Sequence, residues 1–96
     1  MQFLENFNKA FESKARLGIM SVLVVNDFIT FNHFKELLNL TDGNLATHLK
    51  SLEEAHFVSV KKEFIGRKPS TSYAVTDAGR NAFNEHLNAL ERFLKQ

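Results

Sequence analysis

The sequence contains no cysteine and no tryptophan, and its 96 residues include only one proline and four glycines. The lack of cysteine excludes disulfide frameworks, zinc–thiolate sites, iron–sulfur clusters and thiol nucleophiles. Glycine is too scarce for a phosphate-binding nucleotide loop. The longest apolar stretch, Leu17 to Val25, is interrupted by Gly18 and Ser21. A membrane-spanning helix needs about 20 apolar residues, so this stretch is too short to form one.

The composition is that of an ordinary folded domain. Hydrophobic residues make up 44% of the chain and charged residues 24%, and a chain of this length builds one core. The net charge of +1 neither requires nor excludes a nucleic-acid partner. The N-terminus lacks the basic start and apolar run of a signal peptide. We therefore expect a soluble cytoplasmic protein with a single domain over residues 1–96.

Apolar residues recur at helical spacing near the N-terminus. Phe3, Phe7 and Phe11 follow one another every four residues, which predicts an amphipathic helix over about residues 1–11. A second helix, apolar on nearly all sides and therefore buried, is predicted from about Ser13 to Asn26.

Two short helices joined by a tight connection are predicted next, after a short extended segment at residues 29–31. We expect Asn32 to cap the first and Thr41 the second, because their side chains can accept a bond from unpaired backbone N–H groups. The core face of the second short helix is predicted to consist of Leu45, Ala46, Leu49 and Leu52.

The apolar period then changes from helical to about two. The alternation predicts one strand from Val58 to Phe64 and another from Tyr73 to Val75, with a turn-rich tip at residues 66–70. A last helix, capped by Thr76, has apolar positions four, three and four residues apart, the spacing of a helix that packs along another helix. These positions are Phe83, Leu87, Leu90 and Leu94.

This order of elements predicts a mainly α fold with a small β-hairpin wing, a winged helix-turn-helix with additional N- and C-terminal helices. Residues 16–94 also resemble the short, single-domain winged-helix transcriptional regulators related to the MarR and ArsR groups. The resemblance is most specific in the segments TDGNLATHLKSLEEA, KKEFIGRKPSTSYAVT and TDAGRNAF. It implies a DNA-binding homodimer whose terminal helices form the subunit interface.

One position departs from these regulators, which usually carry glycine where the chain leaves the second short helix for the first wing strand. His56 stands there instead. Glycine suits the left-handed backbone conformation at such a position, and histidine tolerates it better than a β-branched residue does. We expect His56 to adopt that conformation at some energetic cost.

The second short helix is the predicted recognition helix, because a helix fits the major groove. Asn44 is suited to bond adenine N6 and N7, Thr47 to contact a thymine methyl group, and His48 to donate to a base acceptor. The candidate DNA contacts of this helix are Thr41, Asn44, Thr47, His48, Lys50 and Ser51. The alternative is an ordinary solvated polar face.

The hairpin supplies the second group of candidate DNA contacts. Residues 61–68 hold four basic side chains against one acid, Glu63, so the local charge is +3. Arg67 is the candidate for insertion into a minor groove, where the negative potential is focused. The alternative is a tip that is basic for solubility. The basic residues are Lys61, Lys62, Arg67 and Lys68.

The predicted terminal helices, at about 1–11 and 77–95, have apolar faces that a winged-helix core does not need. We therefore expect them to form a dimer interface, with the intramolecular core as the alternative. The candidate interface residues are Phe3, Phe7, Phe11, Phe83, Leu87, Leu90 and Leu94.

The sequence shows no pattern for catalysis or metal binding. The sequence contains no recognisable Ser–His–Asp arrangement, phosphate-binding loop or pair of metal sites. Its histidines also lack the spacing of metal ligands. We predict no enzyme activity, no metal and no cofactor, and we interpret His86 as a surface or interface residue. Double-stranded DNA and a second copy of the chain are the expected partners. A protein-interaction module without DNA binding, and a regulator that senses a small molecule between subunits, remain alternatives.

Overall fold

The computed structural model describes residues 6–95, which form one core from short helices and a three-stranded antiparallel sheet. This is the mainly α fold with a hairpin wing that the sequence predicts. The helical and strand elements, in chain order, are a 3-10 helix at Lys9–Phe11, α1 at Lys14–Leu23, β1 at Ile29–Thr30, α2 at Phe31–Leu38, α3 at Asp42–Glu54, β2 at Val58–Ile65, β3 at Lys68–Val75 and α4 at Asp77–Leu94.

The N-terminal segment differs from the prediction. Phe3 lies outside the described residues, and over residues 6–11 the predicted α-helix is wrong. The chain there has a turn followed by one turn of 3-10 helix. Asn8 is extended and its side chain accepts a hydrogen bond from the Ala10 N–H at 2.9 Å. Such a local bond competes with a continuous helix.

Each α-helix begins at a hydroxyl side chain that accepts a backbone N–H bond from three residues further along. The predicted caps Thr41 and Thr76 are confirmed, but the prediction for Asn32 is wrong because Thr30 caps α2. Thr30 is extended and paired with Ser72 of β3. Its position at the end of a strand therefore starts the helix two residues earlier. The four caps are Ser13, Thr30, Thr41 and Thr76.

The core lies between α1, α3 and the inner ends of the sheet strands. The predicted leucine stripe of α3 is buried, but Ala46 is exposed, so its assignment to the core is wrong. At about 100° per residue, position 46 is turned away from the direction of Leu45. The core residues are Phe11, Ile19, Met20, Leu23, Ile29, Phe34, Leu45, Leu49, Leu52, Val58 and Phe83.

The hairpin is longer and its turn is tighter than predicted. The strands β2 and β3 pair without interruption from Val58–Val75 to Ile65–Lys68, so the loop is the two residues Gly66 and Arg67. Gly66 has φ of 67°, and glycine with positive φ at the first loop position is typical of a type II′ turn. The strand order is β1-β3-β2.

Close backbone packing fixes the junction between α3, the hairpin and α4. His56 has the expected left-handed conformation, with φ of 65°. Its carbonyl oxygen accepts the Thr76 hydroxyl at 2.6 Å, and the Phe57 carbonyl accepts the Thr76 N–H at 3.1 Å. Gly79 is needed here, since a Cβ atom on it would lie 2.1 Å from the Phe57 carbonyl oxygen.

Among the described residues, no helix is long and apolar enough to span a bilayer.

Candidate nucleic-acid interface

The exposed side of α3 is polar along its length. Its buried leucines anchor the helix against α1 and the sheet. A salt bridge of 2.5 Å between Lys35 Nζ and Asp42 Oδ1 ties the helix start to α2. Five of the six residues predicted to contact DNA from this helix are exposed: Thr41, Asn44, Thr47, Lys50 and Ser51. Their arrangement allows α3 to present amide, hydroxyl and ammonium groups to a groove.

Thr41 and Thr47 already make bonds within the helix. The Thr41 hydroxyl accepts the Asn44 N–H at 3.2 Å, and the Thr47 hydroxyl donates to the Gly43 carbonyl at 2.9 Å. The Thr47 methyl group is therefore the part of that side chain available for an apolar contact with a base.

His48, the sixth of these residues, is half-buried at the edge of the polar surface. Its Nδ1 lies 3.1 Å from Nη1 of Arg16 on α1. Arginine can only donate, so Nδ1 is the acceptor and the neutral ring carries its proton on Nε2. Within residues 6–95, Nε2 has no hydrogen-bond partner, and no side-chain nitrogen or oxygen is buried without one. His48 therefore offers an N–H donor to solvent.

Arg16 is a member of this surface that the sequence reasoning missed. Its Nε donates to the Ala10 carbonyl at 2.5 Å while Nη1 holds His48. The guanidinium thus links the N-terminal segment to α3. The available signal was the pair of cations, Lys14 and Arg16, in the first turn of a mostly apolar helix. Such a side chain must find acceptors at the rim of the core.

The outer end of the hairpin is a basic, exposed surface. Every residue from Lys61 to Pro69 is exposed. Lys61 pairs loosely with Glu63 at 3.6 Å. No described acidic side chain pairs with Lys62, Arg67 or Lys68. Three predicted DNA-contacting cations are thus unneutralised at one end of the hairpin, with Arg67 in the turn.

The inner part of the hairpin is packed and its chemistry is different. Tyr73 on β3 is partly buried against the core, and its ring lies 6.2 Å from that of Phe34. Burial raises the pKa of the Tyr73 hydroxyl, and the negative charge of Glu53 near the end of α3 raises that pKa further. The Tyr73 hydroxyl is therefore uncharged at neutral pH. Its packed ring supports the wing.

The residues predicted for a dimer interface divide into two groups. Phe11 and Phe83 are buried in the chain's own core, with ring centroids 5.3 Å apart in edge-to-face geometry. For these two residues the structure agrees with the alternative interpretation, packing in the chain's own core. Phe7 is half-buried on α4, 6.2 Å from the ring of Phe93. Exposed apolar side chains remain on α4 at Leu87, Leu90 and Leu94.

His86 is buried, so its interpretation as a surface or interface residue is corrected. The side chain is 6% exposed, and its Nδ1 accepts the Asn8 N–H at 3.0 Å. The rings of Phe7 and Phe11 each lie 5.4 Å from the imidazole, because the N-terminal segment folds back over α4. Burial lowers the pKa of His86, an effect that Glu12 partly opposes.

Metal binding finds no support in the described part of the chain. Between residues 6 and 95, no three His, Asp or Glu side chains are close enough together to hold an ion. The candidate site is thus a polar and cationic protein surface.

Comparison with known proteins identifies the family. Residues 15–94 match the family described as winged helix DNA-binding domain. An uncharacterised protein of Methanocaldococcus jannaschii is 44% identical over 79 residues, which cover 82% of this chain and 86% of that protein.

Solved structures agree with the fold. A transcriptional regulator homologue from Pyrococcus horikoshii has a TM-score of 0.82 and 29% identity, over 99% of this chain and 96% of that one. A proposed MarR-family transcriptional regulator from Enterococcus faecalis has a TM-score of 0.73 and 20% identity, over 98% and 80% of the two chains. The resemblance noted in the sequence is confirmed, and the chain belongs to the winged helix DNA-binding domain family.

Proposed function

We propose that the protein is a homodimeric, sequence-specific DNA-binding transcriptional regulator. The observation that carries the proposal is the combination of a leucine-anchored helix with a free polar face and a hairpin with three unneutralised cations. A polar helix reads base edges in the major groove, and cations on a wing bind phosphates or enter the adjacent minor groove.

The residues divide between reading and positioning. Asn44, Thr47 and the Nε2–H of His48 read bases, because amide, methyl and N–H groups match distinct patterns in the major groove. Lys50 and Ser51 contact the backbone, and a phosphate lies beside the cap residue Thr41 at the start of α3. The wing cations that complete the interface are Lys61, Lys62, Arg67 and Lys68.

Dimerisation rests on α4. Leu87 and Leu90 are about 40% exposed and Leu94 is 76% exposed, and together they form an apolar stripe on an 18-residue helix. Covering this stripe with the same helix of a second copy gives an isologous interface. The two α3 helices then address half-sites about 34–36 Å apart on a pseudo-palindromic operator.

Selection from a random-sequence DNA library at two salt concentrations tests the function. Enrichment of a two-fold symmetric motif is expected, with affinity falling as salt rises. The matched variant Arg67→Ala/Lys68→Ala keeps the fold, because both side chains are exposed. It should reduce the slope of log affinity against log salt by about 1.8, at about 0.9 per lost phosphate contact.

Base reading has its own test. Asn44→Ala should relax the preference at particular bases by about 1–3 kcal/mol. An equal loss of affinity on every sequence would reject the reading role of Asn44. A wild-type chain that shows neither enrichment nor salt-dependent binding contradicts the whole proposal and favours a protein-interaction module.

A further inference from the structure

Two large apolar side chains stand exposed at the free end of the hairpin. Phe64 is 73% exposed and Ile65 is 65% exposed. Neither belongs to the core or to the residues packed against it. Phe64 faces Pro69 across the hairpin, while Ile65 faces Lys68 on the opposite side of the ribbon. The tip is therefore apolar on both faces of the ribbon.

The charge around this pair selects the kind of partner. Lys62 shares a ribbon face with Phe64, since residues two apart in a strand point the same way. Lys68 is the cross-strand neighbour of Ile65, and Arg67 occupies the turn. No described acidic side chain neutralises these three cations. Glu63 shares a ribbon face with Ile65 but is paired with Lys61 at 3.6 Å, so the end of the hairpin keeps a net positive charge. An apolar tip in a positive environment complements a surface that is negative at its rim and apolar within.

The DNA minor groove has that character, with phosphates along its edges and deoxyribose along its walls.

The length of the hairpin ribbon also agrees with the depth of the minor groove. The third strand covers the hairpin only as far as Ser72, so the four pairs from Lys62–Thr71 to Ile65–Lys68 form a two-stranded ribbon. At about 3.3 Å per residue the ribbon is about 13 Å long, which exceeds the depth of about 7.5 Å of the minor groove.

We propose that Phe64 and Ile65 form an apolar wedge that enters the minor groove with Arg67 and bends the duplex. This inference rests on the proposed DNA-binding function. Phe64, the larger side chain, opens a base step, while Ile65 packs against the sugars of the opposite wall. Apolar side chains that enter the minor groove unstack bases and kink DNA by about 20–90°. Deformable steps such as TA at the wing position are then favoured.

The test compares Phe64→Ala/Ile65→Ala with the wild type on the selected operator. Affinity is measured by fluorescence anisotropy, and bending by energy transfer between dyes at the duplex ends. The double variant should bind about 10- to 100-fold more weakly, as expected for the loss of two buried apolar side chains. It should also bend the duplex less. The salt slope should stay unchanged, because no charge is removed.

Matched variants separate the wedge from general effects of losing apolar surface. Phe28→Ala removes another exposed phenylalanine, 61% exposed and located before β1. It should leave both affinity and bend angle unchanged. Phe64→Leu keeps an apolar side chain and should retain most of the bend. Thermal unfolding of all variants should match the wild type, since Phe28, Phe64 and Ile65 all lie outside the core and the residues packed against it.

The DNA sequence supplies a second measurement. Replacing a TA step under the wing by a stiff A-tract should weaken wild-type binding and leave the double variant's binding nearly unchanged. Equal affinity and equal bend angle for the double variant and the wild type overturn the wedge while the DNA-binding function stands. That result assigns the apolar tip to a protein partner. The absence of any DNA binding by the wild type overturns both proposals.

Discussion

Replacement of Arg16 should weaken DNA binding through His48, although Arg16 lies on α1 and outside the recognition helix. Arg16→Met keeps the aliphatic stem and removes two donated hydrogen bonds, one to the Ala10 carbonyl at 2.5 Å and one to His48 Nδ1 at 3.1 Å. The His48 ring then loses its fixed tautomer and orientation. The Nε2–H donor is consequently present only part of the time.

The size of the effect follows from these contacts. Bonds from a charged donor contribute about 1.5–3 kcal/mol each when buried, and water replaces part of that at a half-exposed site, so we expect about 1–2 kcal/mol of lost stability. For DNA binding, one hydrogen bond to a base edge is worth about 1 kcal/mol, or about fivefold in affinity. Arg16→Met and His48→Ala remove the same bond to DNA.

The assay is a double-mutant cycle on the selected operator at one salt concentration. The coupling energy between Arg16→Met and His48→Ala should be about 1 kcal/mol. Lys14→Met is the matched control, because it removes a cation from the same end of α1 whose side chain is exposed. It should not couple to His48. Additivity of the Arg16 and His48 variants to within about 0.5 kcal/mol would refute the positioning role.

Three further predictions concern packing, pH and assembly. Gly79→Ala should lower the free energy of unfolding by about 2–3 kcal/mol or more in urea titrations, because its Cβ would lie 2.1 Å from the Phe57 carbonyl oxygen. The control is Gly43→Ala, whose Cβ meets nothing within 4 Å and which should not destabilise the protein. Because the folded pKa of His86 lies below its ordinary value of 6.5, the unfolded chain binds the proton more readily. The free energy of unfolding should therefore be greatest above pH 6.5 and fall as the pH drops below it. If a His86→Asn variant loses stability over the same pH range, protonation of His86 is not the cause. Leu90→Glu should shift the protein from dimer to monomer in sedimentation and weaken operator binding, whereas an unchanged dimer would exclude this face of α4 from the interface.

Local sequence signals are strongest where one element decides its own structure. The leucines of α3 recur at positions 45, 49 and 52 and are all buried. Thr41 and Thr76 cap their helices as predicted, because a cap depends on a hydroxyl and a backbone N–H three residues away. The left-handed conformation of His56 agrees with the expectation from the resemblance, because the regulators that the sequence resembles usually carry glycine there.

The errors at the N-terminal segment and at the start of α2 occur where a distant segment decides the outcome. The spacing of Phe7 and Phe11 is helical, yet Phe11 packs edge-to-face on Phe83 of α4, and the chain turns at Asn8 to reach it. Thr30 replaces Asn32 as a cap because its backbone is extended and paired with Ser72 of β3, 42 residues away in sequence. No local pattern contains these partners.

The sequence alone determined the class of the protein: helix and strand periods, hydroxyl caps, a basic hairpin and a resemblance to winged-helix regulators. Those features depend on residues within one or two turns of each other. Only the tertiary structure decided that His86 is buried beneath the N-terminal segment and that Arg16 holds His48. These contacts join residues 78 and 32 positions apart. Their geometry exists only after the core has packed, because no short-range pattern encodes which polar groups meet across it.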